Sequence, residues 1–103
     1  MILKDVANVI RSKNAGPYEL TLDVILKDGE MFDKIKKAGI INEEMIAKLY
    51  KIPVEDVLSI VYFPNALAIK ATIVRPLASG NMGERDVYGA QQHAPLVNYE
   101  FEV

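Results

Sequence analysis

The chain has 103 residues and a formal net charge of −2, with 50% apolar and 25% charged residues. This length fits one domain, and the composition is that of a globular protein and excludes an intrinsically disordered chain. The absence of cysteine excludes disulfides, thiolate chemistry and cysteine-ligated zinc or iron–sulfur sites. The nearly balanced charge gives no overall field that would attract nucleic acid or an anionic membrane.

Targeting and membrane segments are not evident in the sequence. The start of the chain lacks the basic region, apolar run and small-residue cleavage site of a secretory signal. The longest apolar stretch, 57–74, is interrupted by Pro64-Asn65 and carries Lys70, so neither half is long enough to cross a membrane as a helix. These observations predict a cytoplasmic protein with no membrane anchor.

In the N-terminal half, the pattern predicts two strands followed by two helices. Strands are predicted over 6–10 and 20–26, and a helix follows from Glu30 to Gly39. Asn42 is the expected N-cap of a second helix that runs to Tyr50. The spacing of apolar residues places three of them on one face of that helix and predicts that they belong to the core: Met45, Ile46 and Leu49.

The C-terminal half is predicted to add a hairpin, a short helix and a last strand. Pro64-Asn65 separates two apolar runs, 58–63 and 66–74, and predicts a hairpin that is central in its sheet or covered on both faces. A short helix is predicted over 86–93. A strand is predicted over 97–103, where apolar and polar residues alternate.

From residue 20 onward the predicted order is βαββαβ, which is the ferredoxin-like split βαβ pattern with an additional N-terminal strand. The fold class is therefore α+β, in a single domain over 1–103. The apolar hairpin offers more surface than two short helices can cover, which predicts a homo-oligomer, with a dimer as the simplest form.

Residues 46–57 have the cadence of a helix-turn-helix motif. Its recognition helix would begin with Glu55 and Asp56, which phosphates repel, and the residues that follow, 58–63, contain no Lys or Arg. We therefore reject DNA binding, and a helix packed on a sheet is the preferred interpretation.

A polar segment between the first two predicted strands, 11–18, combines two cations, a hydroxyl, an amide and a glycine. Such a loop can hold a carboxylate or phosphate through cationic side chains and backbone N–H groups. A solvated turn is the alternative. The candidate ligand-binding residues here are Arg11, Ser12, Lys13 and Asn14.

A second polar segment, 79–93, is rich in hydrogen-bonding groups and resembles a binding lid. His93, the only histidine, is the candidate acid/base catalyst, with a capping or solvent-facing histidine as the alternative. One histidine without cysteine argues against a zinc site and leaves oxygen-ligated magnesium open; no metal or cofactor is predicted. We expect the part of this segment from 86 to 93 to meet the first segment in a single anion-binding concavity, with these ligand-binding residues: Tyr88, Gln91, Gln92 and His93.

From end to end, the chain resembles the small bacterial proteins of domain-of-unknown-function family 4387, through segments 9–17, 61–63, 68–72 and 86–96. More distantly, it resembles the ferredoxin-fold domain attached to acyclic terpene utilisation (AtuA) proteins. That pattern is matched by four residues: Arg11, Ser12, Pro64 and Asn65. Where it continues Gly-Asp-Lys-Gly, this chain has Lys13-Asn14-Ala15-Gly16.

The resemblance implies an accessory or subunit-type AtuA-like domain that works beside an AtuA-type large protein in catabolism of branched acids or acyl-CoA compounds. The alternative is a stand-alone small lyase, hydratase or isomerase acting on a carboxylate or acyl-CoA. In that case Arg11 and Lys13 would hold the anion and His93 would move a proton. Two loops that converge on a closed pocket would favour the enzyme, and loops open toward a partner would favour the subunit.

Overall fold

The computed structural model describes residues 1–16, 18–74 and 94–102, and its architecture is α+β. Four strands form one antiparallel sheet in the spatial order β1-β2-β4-β3: β1 (Ala7–Asn14), β2 (Glu19–Leu26), β3 (Val57–Phe63) and β4 (Ala68–Val74). The helices are α1 (Leu3–Val6), α2 (Gly29–Ala38), α3 (Glu43–Tyr50) and α4 (Ala94–Val97). No helix in the described ranges has the length and hydropathy to cross a membrane.

The two longer helices begin and end where local chemistry requires. Asp28 accepts a hydrogen bond of 2.8 Å from the Met31 N–H at the start of α2, and Asn42 accepts one of 2.8 Å from the Met45 N–H at the start of α3. Gly39 ends α2 with a φ of 63°, in the left-handed region that glycine adopts without a steric penalty. The predicted cap at Asn42 and the predicted end at Gly39 are confirmed.

Helices α2 and α3 connect β2 to β3 and pack on one face of the sheet, which we call the inner face; the opposite side is the outer face. The Phe32 ring of α2 meets the Tyr62 ring of β3 edge-on, with centroids 6.1 Å apart. The inner-face side chains of the two central strands form the middle of the core: Leu20, Leu22, Val24, Leu26, Ile69, Ala71 and Ile73. On α3, Met45 and Ile46 are buried as predicted, but Leu49 is only half-buried.

The hairpin predicted around Pro64-Asn65 is present, but its two strands differ in position. β4 lies between β2 and β3, whereas β3 forms an edge of the sheet. The expectation that the whole hairpin is central or covered on both faces is therefore wrong for β3. Pro64–Ala66 forms a single 3-10 turn between the two strands.

The strand predicted over 97–103 is also wrong. Val97 ends α4, and in the described chain up to residue 102 only an isolated bridge joins Glu100 to Ile2. The alternation still reflects burial, since Phe101 is buried while Glu100 and Glu102 are exposed. An extended segment packed on the core alternates as a sheet strand does, and the position beside β2 is occupied by β1.

Candidate anion-binding face

The first polar segment, predicted as a loop from residue 11 to residue 18, is mostly strand. β1 continues through Asn14, and the residues from Arg11 to Asn14 each pair with a residue of β2. The connection to β2 shortens to 15–18, in which Gly16 has a φ of 123°. The four sequence candidates of this segment therefore lie on a paired strand, which fixes their directions.

Successive side chains of a strand point to opposite faces, and this divides the four candidates into two pairs. Arg11 and Lys13 lie on the outer face and are exposed. Ser12 and Asn14 lie on the inner face; Ser12 is only 6% exposed, and both residues have interaction partners. Only Arg11 and Lys13 are presented together to solvent on the outer face.

The strand register sets Arg11, Asp23 and Lys70 side by side on the outer face. Arg11 is opposite Asp23 across the β1–β2 ladder, and Asp23 is opposite Lys70 across the β2–β4 ladder. The Arg11 Nε donates to the Asp23 Oδ2 at 3.1 Å, and the Asp23 side chain is 16% exposed. The mostly buried Asp23 carboxylate thus lies between two cationic residues, and its single negative charge can balance only one of them.

The neighbouring row of the outer face contains three hydroxyl residues, of which Thr21 is only 2% exposed. Lys13 is opposite Thr21, Thr21 is opposite Thr72, and Thr72 is opposite Ser59. Strand spacing of about 4.8 Å and a rise of about 3.3 Å per residue put the Cα atoms of Lys13 and Lys70 roughly 12 Å apart. Among the described residues neither lysine forms an ion pair, so neither ammonium group is neutralised by a described carboxylate.

On the other side of the charged row, the outer face is apolar. Ile25 lies between Val9 and Ala68, and Phe63 is opposite Ala68 at the end of this row. Val61, opposite Lys70, is 43% exposed, and Phe63 is 44% exposed. Cations beside exposed apolar side chains fit an anion that carries an apolar group.

Lys70 was missed as a site residue because its neighbours are set by pairing between distant strands. The available signal was its isolation: it is the single charged residue between Val57 and Val74. A charge inside an otherwise uncharged hairpin marks a strand position that faces solvent or a counterion.

The other predicted site residues, Tyr88, Gln91, Gln92 and His93, lie outside the described residues, as does the helix predicted over 86–93. Their convergence with Arg11 remains a prediction. Within 1–16, 18–74 and 94–102 no group of three or more metal-binding side chains is close enough to hold a metal ion.

An open depression beside the start of α3 has a volume of about 540 Å³ and is lined by Asn42, Glu43, Glu44 and Val54. Its two carboxylates repel an anionic ligand, and Asn42 is already occupied in capping the helix. The outer face of the sheet is therefore the candidate site.

Together, the antiparallel sheet and its helices define a small α+β domain whose outer face carries charged side chains. The chain matches the family model described as "Domain of unknown function (DUF4387)" over residues 3–100 and belongs to that family. No curated protein and no solved structure is significantly similar to it.

Proposed function

We propose that the chain is an accessory or subunit-type domain that binds a carboxylate or acyl-CoA compound on the outer face of its sheet. It does so together with a larger, AtuA-type protein of branched-acid or acyl-CoA catabolism. The observation that carries the proposal is that Arg11, Lys13 and Lys70 share one face of the sheet with the exposed side chains of Val61 and Phe63.

Electrostatics supports an anionic ligand. Glu19, at the start of β2, also lies on the outer face, so the described residues of this face supply three cations against two carboxylates, Glu19 and Asp23. This excess of positive charge occurs on a chain whose overall formal charge is −2. Arg11 offers a planar fork of donors suited to a carboxylate, whereas the two lysines offer mobile charges.

The exposure of the site favours a subunit over a stand-alone enzyme. The cations stand on a sheet surface, where the Arg11 side chain is 62% exposed, and a charge pair in water contributes little binding energy. A second chain that covers the surface would lower the local dielectric and strengthen every interaction with the anion. The larger protein would complete the site in this way.

We also assign the domain to the ferredoxin-like folds. Support comes from β4, which lies between β2 and β3 and is antiparallel to both, so that β2 and β3 are parallel and are connected through α2 and α3. This is the split βαβ relationship. The strand that flanks β2 in this domain is β1, from the start of the chain.

The ligand is tested by calorimetric titration with octanoate and octanoyl-CoA, with octanol as the uncharged control, on the chain alone and with the larger protein. Lys70→Gln and Lys13→Gln should weaken binding of both anions. Asp23→Asn should strengthen it by removing a competing negative charge. Lys37→Gln, at an exposed lysine of α2, is the matched control and should change nothing.

The partner is tested by co-expressing the chain with the larger, AtuA-type protein and measuring whether the two co-purify. We expect a stable complex that binds octanoyl-CoA more tightly than the chain alone. No complex together with no anion binding would overturn the proposal. Turnover of an acyl-CoA by the isolated chain would instead establish the stand-alone lyase, hydratase or isomerase.

A further inference from the structure

We propose that the edge strand β3 pairs antiparallel with β3 of a second copy of the chain, joining two four-stranded sheets into one continuous sheet. This inference deepens the proposed self-association. It depends on neither the larger protein nor the carboxylate ligand.

The two edges of the sheet differ in protection. The edge strand on one side, β1, carries Arg11 and Lys13, and charged side chains on an edge strand oppose the addition of another strand. The other edge strand, β3, has no charged residue and no proline. Its one irregularity is a register shift between Val57 and Ser59. Within the described residues its backbone pairs only with β4, so of the two described edges β3 is the less protected against pairing.

Exposed apolar side chains are concentrated on the same strand. Six large apolar residues are exposed in the described chain, and three of them, Leu58, Val61 and Phe63, belong to β3. An uncharged strand with exposed apolar side chains and unpaired backbone groups gains hydrogen bonds and buried area together when another strand pairs with it.

Charge determines the direction of pairing and fits a second copy as the partner. Glu55 and Asp56 immediately precede β3. Parallel pairing would bring these carboxylates of the two copies together, whereas antiparallel pairing sets each acidic pair beside the uncharged Pro64-Asn65 turn of the other copy. A two-fold axis near Ile60 keeps both outer faces on one side of the joined sheet, since paired residues of two strands share a face.

The experiment is sedimentation velocity on the isolated chain over a wide concentration range, with two variants. The wild type should reach twice the monomer mass of 11.5 kDa. Val61→Lys, which puts a charge on the pairing edge, should raise the dimer dissociation constant by at least about tenfold. Val54→Lys is the matched control: Val54 is 48% exposed, close to the 43% of Val61, but lies outside the sheet, and its variant should remain dimeric.

Hydrogen exchange of the wild type provides a second readout that does not depend on a variant folding. The amides of β3 should become more protected as the chain concentration rises, while those of β1 should not change. A wild type that stays monomeric at every concentration would overturn the inference. A dimer would also overturn it if Val61→Lys left that dimer intact and the β3 amides of the wild type gained no protection. So would pairing of β3 with the larger protein but not with a second copy.

Discussion

The Tyr62 hydroxyl donates a hydrogen bond of 2.7 Å to the carbonyl oxygen of Ile41. This bond connects the edge strand β3 to the segment between α2 and α3, while the same ring packs edge-on against Phe32. Tyr62 thus connects the strand proposed to pair with a second copy to α2 and to the segment that leads into α3.

Replacing Tyr62 by phenylalanine should preserve the ring contact and remove the hydrogen bond. Because the Ile41 carbonyl then loses this donor in a buried region, we expect the free energy of unfolding to fall by about 1 to 2 kcal/mol. Urea denaturation measures the change. Tyr99→Phe is the control, since that ring stacks on Phe101 and should keep its contact; an equal loss in both variants would contradict the assigned role of the hydroxyl.

Alkaline pH should destabilise the fold through the same side chain. Burial, reinforced by the nearby Glu43 carboxylate, raises the pKa of Tyr62 above its ordinary value of 10.0, and burial also raises the pKa of Tyr50. The unfolded chain ionises these tyrosines near pH 10 while the folded chain keeps them neutral. Their contribution to the free energy of unfolding is therefore complete below about pH 10 and is lost as the pH rises toward the folded-state pKa values. The free energy of unfolding, measured by denaturation at pH values from about 8 to 12, should show this loss, and the loss should be smaller in Tyr62→Phe. An equal loss in the wild type and the variant would exclude Tyr62 as a cause.

The side-chain cap of α3 should contribute more than that of α2. Asn42 accepts from the Met45 N–H and also donates to the Gly39 carbonyl at 2.7 Å, whereas the Asp28 side chain has one such bond among the described residues, the capping bond to Met31. Asn42→Ala should cost about 1 to 2 kcal/mol and Asp28→Ala about 1 kcal/mol. Asn42→Asp keeps the capping acceptor and removes the amide donor, so its loss should be the smaller of the two Asn42 variants in thermal unfolding.

Two apolar residues of α3 should respond differently to truncation. Ile46 is 1% exposed and lies in the core, whereas Leu49 packs at its margin. Ile46→Ala should lower the free energy of unfolding by about 2 to 5 kcal/mol, and Leu49→Ala by less, because a half-buried site leaves no closed cavity. Guanidinium denaturation of both variants tests this order. Equal losses would place Leu49 in the core.

Helices α2 and α3 were predictable because their boundaries depend on residues adjacent in sequence, whereas α1 and α4 were not predicted. Asn42 caps α3 with its own side chain, and Gly39 adopts the conformation that terminates α2. The sheet was less predictable. The polar run from Arg11 to Asn14 resembles a turn, but an edge strand with one solvent-facing side accommodates it.

The site was predictable to the extent that it is local. Arg11 and Lys13 are two residues apart, and strand alternation alone puts them on one face. Their neighbours Asp23 and Lys70 come from β2 and β4, and only the register of three strands brings them together. Hydrophobic patterns indicate which face of a strand is buried; they do not indicate which strand lies beside which.

The order of strands also determines the order of folding events. β1 with β2 and β3 with β4 are hairpins whose partners are close in sequence, and hairpins form in about 1 to 10 μs. The ladder between β2 and β4, which joins Ile25 to Ala68 and Glu19 to Val74, has to enclose both connecting helices and is entropically the most costly to close. We therefore expect docking of two preformed hairpins to be the slow step, so Ile69→Val in β4 should slow refolding, whereas Val9→Ala in β1 should mainly accelerate unfolding.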